Sequence, residues 1–129
     1  MDPREFADEA YPLIVRKGDK TYTFVEHTLK PLVKALDLGI VRDAYVFDCI
    51  VGAAAAKLYL LQPPRELYCE TISEPAYALL SPRFPLFAEK YVSKITREDG
   101  KPCKMEELSS KYEKPEEFLK ALKEKVSSC

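Results

Sequence analysis

In two short stretches of the chain, polar side chains sit where an apolar, strand-like run gives way to a helical pattern. In "YVFDCIVG" the acid is Asp48, and in "ETISEPAYA" the polar pair is Ser73 and Glu74. Ligands of open α/β sheets collect outside the carboxyl ends of strands. The helix that follows presents unpaired N–H groups and the positive end of its dipole, which favours anions. In that setting Asp48 can accept a hydrogen bond from a ribose hydroxyl or an amino group. Ser73 can donate to a phosphate, and Glu74 can carry a proton or accept a hydrogen bond. Plain structure also suits these residues: Asp and Ser are good N-caps, and Pro75 fits a first helical turn. Asp48 stands beside Ser73 and Glu74 at one edge when the two strands are parallel neighbours.

A third stretch, "PCKME", runs from Pro102 to Glu106 after the final predicted strand. It reads as a plain helix start with Met105 in the core, or alternatively as a return of Arg97, Cys103 and Glu106 to the same edge, where they would line the pocket. A helix N-terminus can lower the pKa of Cys103, but no histidine lies nearby to act as its base, so a Cys-His nucleophile pair is not expected. Metal chemistry is poorly supplied. The four cysteines, Cys49, Cys69, Cys103 and Cys129, form no C-x-x-C pair, and His27 is the one histidine. Structural zinc needs a clustered set of such ligands, so no metal and no cofactor is expected. Cys49 and Cys69 read as buried thiols packing as small hydrophobes, and His27 as a structural or surface residue.

The elements that must position these residues follow from periodicity. "PLIVRKGDKTYTFVEH" reads as a hairpin around Gly18-Asp19. Leu29, Leu32, Val33 and Leu36 line one helical face, with Pro31 in the first turn and Gly39 after the last. A short strand, Ala44 to Asp48, precedes "CIVGAAAAKLYLL", which is Ala-rich and apolar nearly all round and so predicts a buried helix from Cys49 to Leu61. "RELYCETI" predicts a strand and "EPAYALLS" a helix. "SPRFPLFAEK" reads as an irregular or short helical connection, and "YVSKIT", from Tyr91 to Thr96, as the last strand. Two helices close the chain, one in "CKMEELSSKY" and one starting near Pro115. A hairpin followed by alternating strands and helices predicts an α/β fold: a three-layer αβα mixed sheet of about five strands with helices on both faces.

The length of 129 residues suits one domain, with residues 1–10 expected to be flexible and 115–129 forming a C-terminal helix and tail. The formal net charge of −1 provides no global field to recruit nucleic acid or anionic membrane, and no basic stripe is interleaved with aromatics. No apolar run is long enough to span a bilayer. The acidic start, "MDPREFADEA", does not resemble a signal peptide. A cytoplasmic location with reduced thiols is the resulting expectation. Tyr59, Tyr68, Tyr77, Phe84, Phe87 and Tyr91 make an aromatic-rich middle, which leaves room for a homo-oligomer.

The order of elements resembles the cytidine-deaminase-like fold. Zinc deaminases of that fold carry H-x-E on one helix and P-C-x-x-C at the next strand-to-helix turn. Here "SEPAYALL" occupies the place of the second motif. Pro75 is retained, while Ala76 and Leu79 stand at the two cysteine positions, and the preceding Ala-rich helix has neither His nor Glu. More narrowly, residues from about Leu13 to Leu108 resemble the DUF1893 family of uncharacterised prokaryotic proteins. The resemblance rests on "FDCIVGAAAAKL", "ISEPAYALL" and "REDGKPCKMEEL". The chain keeps Asp48, Gly52, Ser73, Glu74, Arg97, Gly100, Cys103, Met105 and Glu106 of that pattern. It departs at Cys49 and Ala53, where lysine is usual, at Thr96 for asparagine and at Lys104 for proline. The polar cluster at two helix N-termini, combined with the lost zinc set, leads to the expectation of a metal-free domain that binds a nucleotide- or nucleoside-like molecule through Asp48, Ser73, Glu74, Arg97, Cys103 and Glu106. The alternatives are a protein-interaction or regulatory module without chemistry, and a divergent zinc deaminase with displaced ligands.

Overall fold

The structure is a computed structural model that describes residues 3–8, 10–96 and 104–125. After a single 3-10 turn at Pro3–Glu5, the order is β1 (Leu13–Lys17), β2 (Lys20–Phe24), α1 (Lys30–Leu38), β3 (Tyr45–Val51), α2 (Ala53–Leu61), β4 (Glu66–Ser73), α3 (Glu74–Leu80), β5 (Leu86–Val92), α4 (Lys104–Ser110) and α5 (Pro115–Lys125). This is the succession of strands and helices that the periodicity predicts. The five strands form one mixed sheet in the order β2-β1-β3-β4-β5. β1 is antiparallel to β2 and β3, while β3, β4 and β5 run parallel. That strand order is consistent with a three-layer αβα arrangement.

Local chemistry accounts for the punctuation. Gly18 and Gly39 take positive φ of 63° and 70°, one in the hairpin turn and one closing α1, where a side chain would be strained. Pro31 and Pro75 sit in the first turns of α1 and α3. Two regions differ from expectation. β3 runs on through Cys49, Ile50 and Val51, so the helix begins at Ala53 and not at Cys49. β-branched Ile50 and Val51 favour the extended state, β4 pairs with both, and Gly52 ends the strand with an extended backbone. The last strand is Leu86–Val92 rather than Tyr91–Thr96. Pro82 and Pro85 mask it in the sequence, but Pro85 lies just outside the strand and its carbonyl accepts from Leu67 N–H at 3.1 Å.

The pleat divides the core. Leu13, Val15, Val46, Leu67 and Cys69 join apolar residues from all five α-helices in one buried cluster. Ile14, Phe47 and Tyr68 point to the opposite face, where Phe6, Ala7 and Tyr11 pack against them. The N-terminal segment, expected to be flexible, thus supplies the described cover of that face. Helix α2 is the hub of the larger cluster and touches each of the other α-helices. Ala54, Ala55, Ala56, Leu58 and Tyr59 are all buried, so the all-round apolar pattern does mark an enclosed helix. Among the described residues no helix is long and apolar enough to cross a membrane.

Candidate functional site at the strand ends

Helix α2 begins without a capping side chain of its own, and it has no acidic residue in its first turn. Its N–H groups are satisfied from 52 and 53 residues away. Glu106, in the first turn of α4, accepts from Ala53 N–H through Oε2 and from Ala54 N–H through Oε1, each at 3.0 Å. A carboxylate at a helix N-terminus gains from both the unpaired donors and the dipole. Gly52 makes the approach feasible. A Cβ built there would lie 2.9 Å from Glu106 Cδ and 2.9 Å from Ile95 Cγ1, closer than real side chains come. Lys57 strengthens the same junction, donating to the carbonyls of Ser109 at 2.5 Å and Tyr112 at 2.8 Å beyond the end of α4.

Beside this junction lies a cavity of about 180 Å³ lined by His27, Thr28, Leu29, Ile50, Gly52, Ala55, Ile95, Met105 and Glu106. It opens at the carboxyl end of β3, where a sheet of this kind binds ligands. Its walls are mainly apolar, with one carboxylate, one imidazole and one hydroxyl. It is smaller than the ~300–1,000 Å³ typical of drug-sized ligand pockets, so it fits a group the size of a single ring system.

The residues singled out from sequence do not converge as expected. Asp48 is not at the strand end but inside β3, paired in register with Leu13 and Cys69. Ser73 lies four positions beyond Cys69 along β4, roughly 13 Å at ~3.3 Å per residue. The two therefore do not share an edge. Ser73 is buried and caps α3, its Oγ accepting from Ala76 N–H at 3.3 Å. Glu74 is exposed in the first turn of that helix. Arg97 and Cys103 fall outside the described residues. Of the described candidates, Glu106 alone lines the cavity. Gly52, Ile50 and His27 were missed as site residues. The sequence hid them, because the helix was expected to start at Cys49 behind Asp48 as its cap, whereas it starts at Ala53 with no capping side chain of its own.

Asp48 has a different role. Its Oδ2 accepts a 2.6 Å hydrogen bond from the Tyr59 hydroxyl of α2. Burial pushes its carboxyl up from 3.8 to about 7, against the pull of the Tyr59 hydrogen bond and the Ile50 backbone. Burial, together with the Asp48 charge, also raises the Tyr59 hydroxyl. Burial and Asp48 likewise hold the Cys69 thiol well above its usual range, so it is not a ready nucleophile. Among the described residues no three of His, Cys, Asp or Glu stand together as a metal-binding group.

The sequence profile described as "Domain of unknown function (DUF1893)" matches residues 3–126, nearly the whole chain. The chain belongs to the DUF1893 family. The fold agrees: the crystal structure of the DUF1893 family protein TM1506 from Thermotoga maritima is similar with a TM-score of 0.79 and 24% identity, over 89% of this chain and 80% of the other. That identity shows a shared fold and leaves the chemistry to be argued from this chain's own residues. No curated protein matches it.

Two predictions test the assignments within this DUF1893 member. Gly52→Ala should push the Glu106 carboxylate off α2 and lower stability by about 1–3 kcal/mol. Glu106→Ala should cost a similar amount. In denaturant titrations the double variant should lose little more than either alone, since both remove one interaction; full additivity would refute the coupling. For Asp48, the folded-state pKa lies above the unfolded one. Its stabilising contribution is therefore complete below about pH 4 and is lost as pH rises through 7. Asp48→Asn keeps an acceptor for Tyr59 and has no charge to bury. Melting temperatures measured from pH 4 to 9 should show the native protein losing a few kcal/mol relative to the variant across that window. Parallel curves would count against the assignment.

Proposed function

We propose that this chain is a cytoplasmic, metal-free binding domain on a cytidine-deaminase-like scaffold, and that it takes a nucleotide- or nucleoside-like small molecule without deaminating it. The observation that carries the reading is the strand-end cavity, in which a carboxylate fixed by two backbone N–H groups faces apolar walls of single-ring size. Fixed polar groups in a largely apolar recess give orientation, and the walls give affinity. Ala76, fully buried, and Leu79 stand where the resemblance would place zinc cysteines, and neither can hold a metal.

Thermal unfolding of the full chain against a panel of nucleosides and nucleotides tests the reading. A ligand at a hundredfold excess over its Kd stabilises by ~2.7 kcal/mol, a rise of several degrees. Thr28→Arg, on the exposed rim of the cavity, should abolish the rise without lowering the unliganded melting temperature. The reading fails if no member of the panel shifts the transition.

A second reading, an interaction module, has one observation in its favour. β5 is an edge strand, and beside it Phe87, Tyr91, Tyr77 and Leu79 are 37–53% exposed. Tyr77 and Tyr91 pack edge to face, with centroids 5.3 Å apart. Large exposed apolar groups that cluster mark contact surfaces. Self-association through them should give a concentration-dependent mass in light scattering, lost in Tyr91→Lys. A strict monomer at high concentration would remove this reading.

A further inference from the structure

We infer that the strand-end cavity selects ligands that offer N–H donors and carry no phosphate: bases and nucleosides with an amino or ring N–H edge, ahead of the corresponding nucleotides. The inference rests on the binding reading above and narrows it.

Phosphate is ordinarily welcomed at a helix N-terminus because unpaired N–H groups wait there. In α2 that position is already taken. Glu106 engages the N–H groups of Ala53 and Ala54, and a phosphate would have to evict it and uncap the hub helix. If the phosphate left Glu106 in place, two anions would share a half-buried recess, where like charges repel more strongly than in water. No Lys, Arg or His among the described residues pairs with Glu106 to soften that repulsion.

The same features favour donors. Each carboxylate oxygen that accepts one backbone N–H keeps capacity for a second hydrogen bond. Glu106 can therefore hold α2 and receive an amino or ring N–H group at once. Leu29, Ile50, Ile95 and Met105 offer apolar surface to the faces of a ring, and Thr28 adds a hydroxyl at the rim. The cavity volume of about 180 Å³ leaves a sugar at the mouth.

The test is an NMR titration of the full ¹⁵N-labelled chain with adenosine, cytidine and guanosine, each against its own 5′-monophosphate, and with inorganic phosphate alone. At least one nucleoside should shift the amides of Ile50, Ala53 and Ala54 and bind about tenfold more tightly than its monophosphate. Glu106→Gln removes the charge and keeps an acceptor, and it should shrink that gap to about twofold. Salt at about 0.5 M, which screens charges beyond a few ångströms, should shrink it in the native protein too, so the result does not depend on the variant folding well. A monophosphate that binds as tightly as its nucleoside overturns the inference and leaves the binding reading standing. So does inorganic phosphate that displaces the Glu106 cap, or a gap that neither salt nor Glu106→Gln changes. Absence of any binding removes the reading and the inference together.

Discussion

Helix α2 has charged groups at both ends, and it supplies neither of them. Glu106 closes its N-terminus and the Arg42 guanidinium donates to the Leu61 carbonyl at its C-terminus, at 3.0 Å. Each sign matches the dipole end that it meets. The borrowing follows from burial. A helix enclosed on nearly every face cannot keep its own charged caps without desolvating them, so its unpaired backbone groups must be met by side chains reaching in from the periphery. The rest of the fold is arranged around that need. α4 is held against the sheet edge by its carboxylate, Gly52 has to remain without a side chain, and Lys57 returns the favour at the far end of α4.

The two acids of the core illustrate how environment divides similar side chains. Glu106 receives two backbone N–H donors at a helix terminus. Asp48 receives the Tyr59 hydroxyl and the Ile50 backbone, but its burial between Leu13 and Cys69 in the sheet outweighs both donors and favours the neutral form. One acid is a backbone-fixed acceptor at a cavity. The other is a buried polar pin between sheet and helix. On sequence alone Asp48 was the leading candidate and Glu106 entered only through an alternative reading of its helix start.

The order of elements was legible because it depends on local signals: a Gly-Asp turn, a Pro31-to-Gly39 helix, an alanine run, a proline after a serine. Strand ends were less so. Cys49 to Val51 is apolar in a way that suits a buried strand or a buried helix, and tertiary pairing with β4 decides between them. That shift of a few residues moves Asp48 from the edge to the interior and dissolves the expected grouping with Ser73. Ser73 itself proved to be the N-cap that its residue type suggests. The Glu106 contact could not be read from spacing, because it joins residues more than fifty positions apart. The deficit at Gly52-Ala53-Ala54 emerges only once the helix start is placed at Ala53: donors with no local acceptor must find one elsewhere.

That deficit also bears on how a scaffold can keep its shape while its chemistry changes. A strand-end helix terminus is a standing invitation to an anion, and a protein can answer it with a ligand, a metal-bound group or a residue of its own. Here the answer is internal, so the terminus contributes rigidity in the absence of any ligand. Whatever enters the adjacent cavity meets a carboxylate already immobilised by the backbone, with little ordering left for binding to supply. The residue that caps the hub helix is also the carboxylate that lines the cavity, which couples the fold's capping problem to the chemistry of its candidate site.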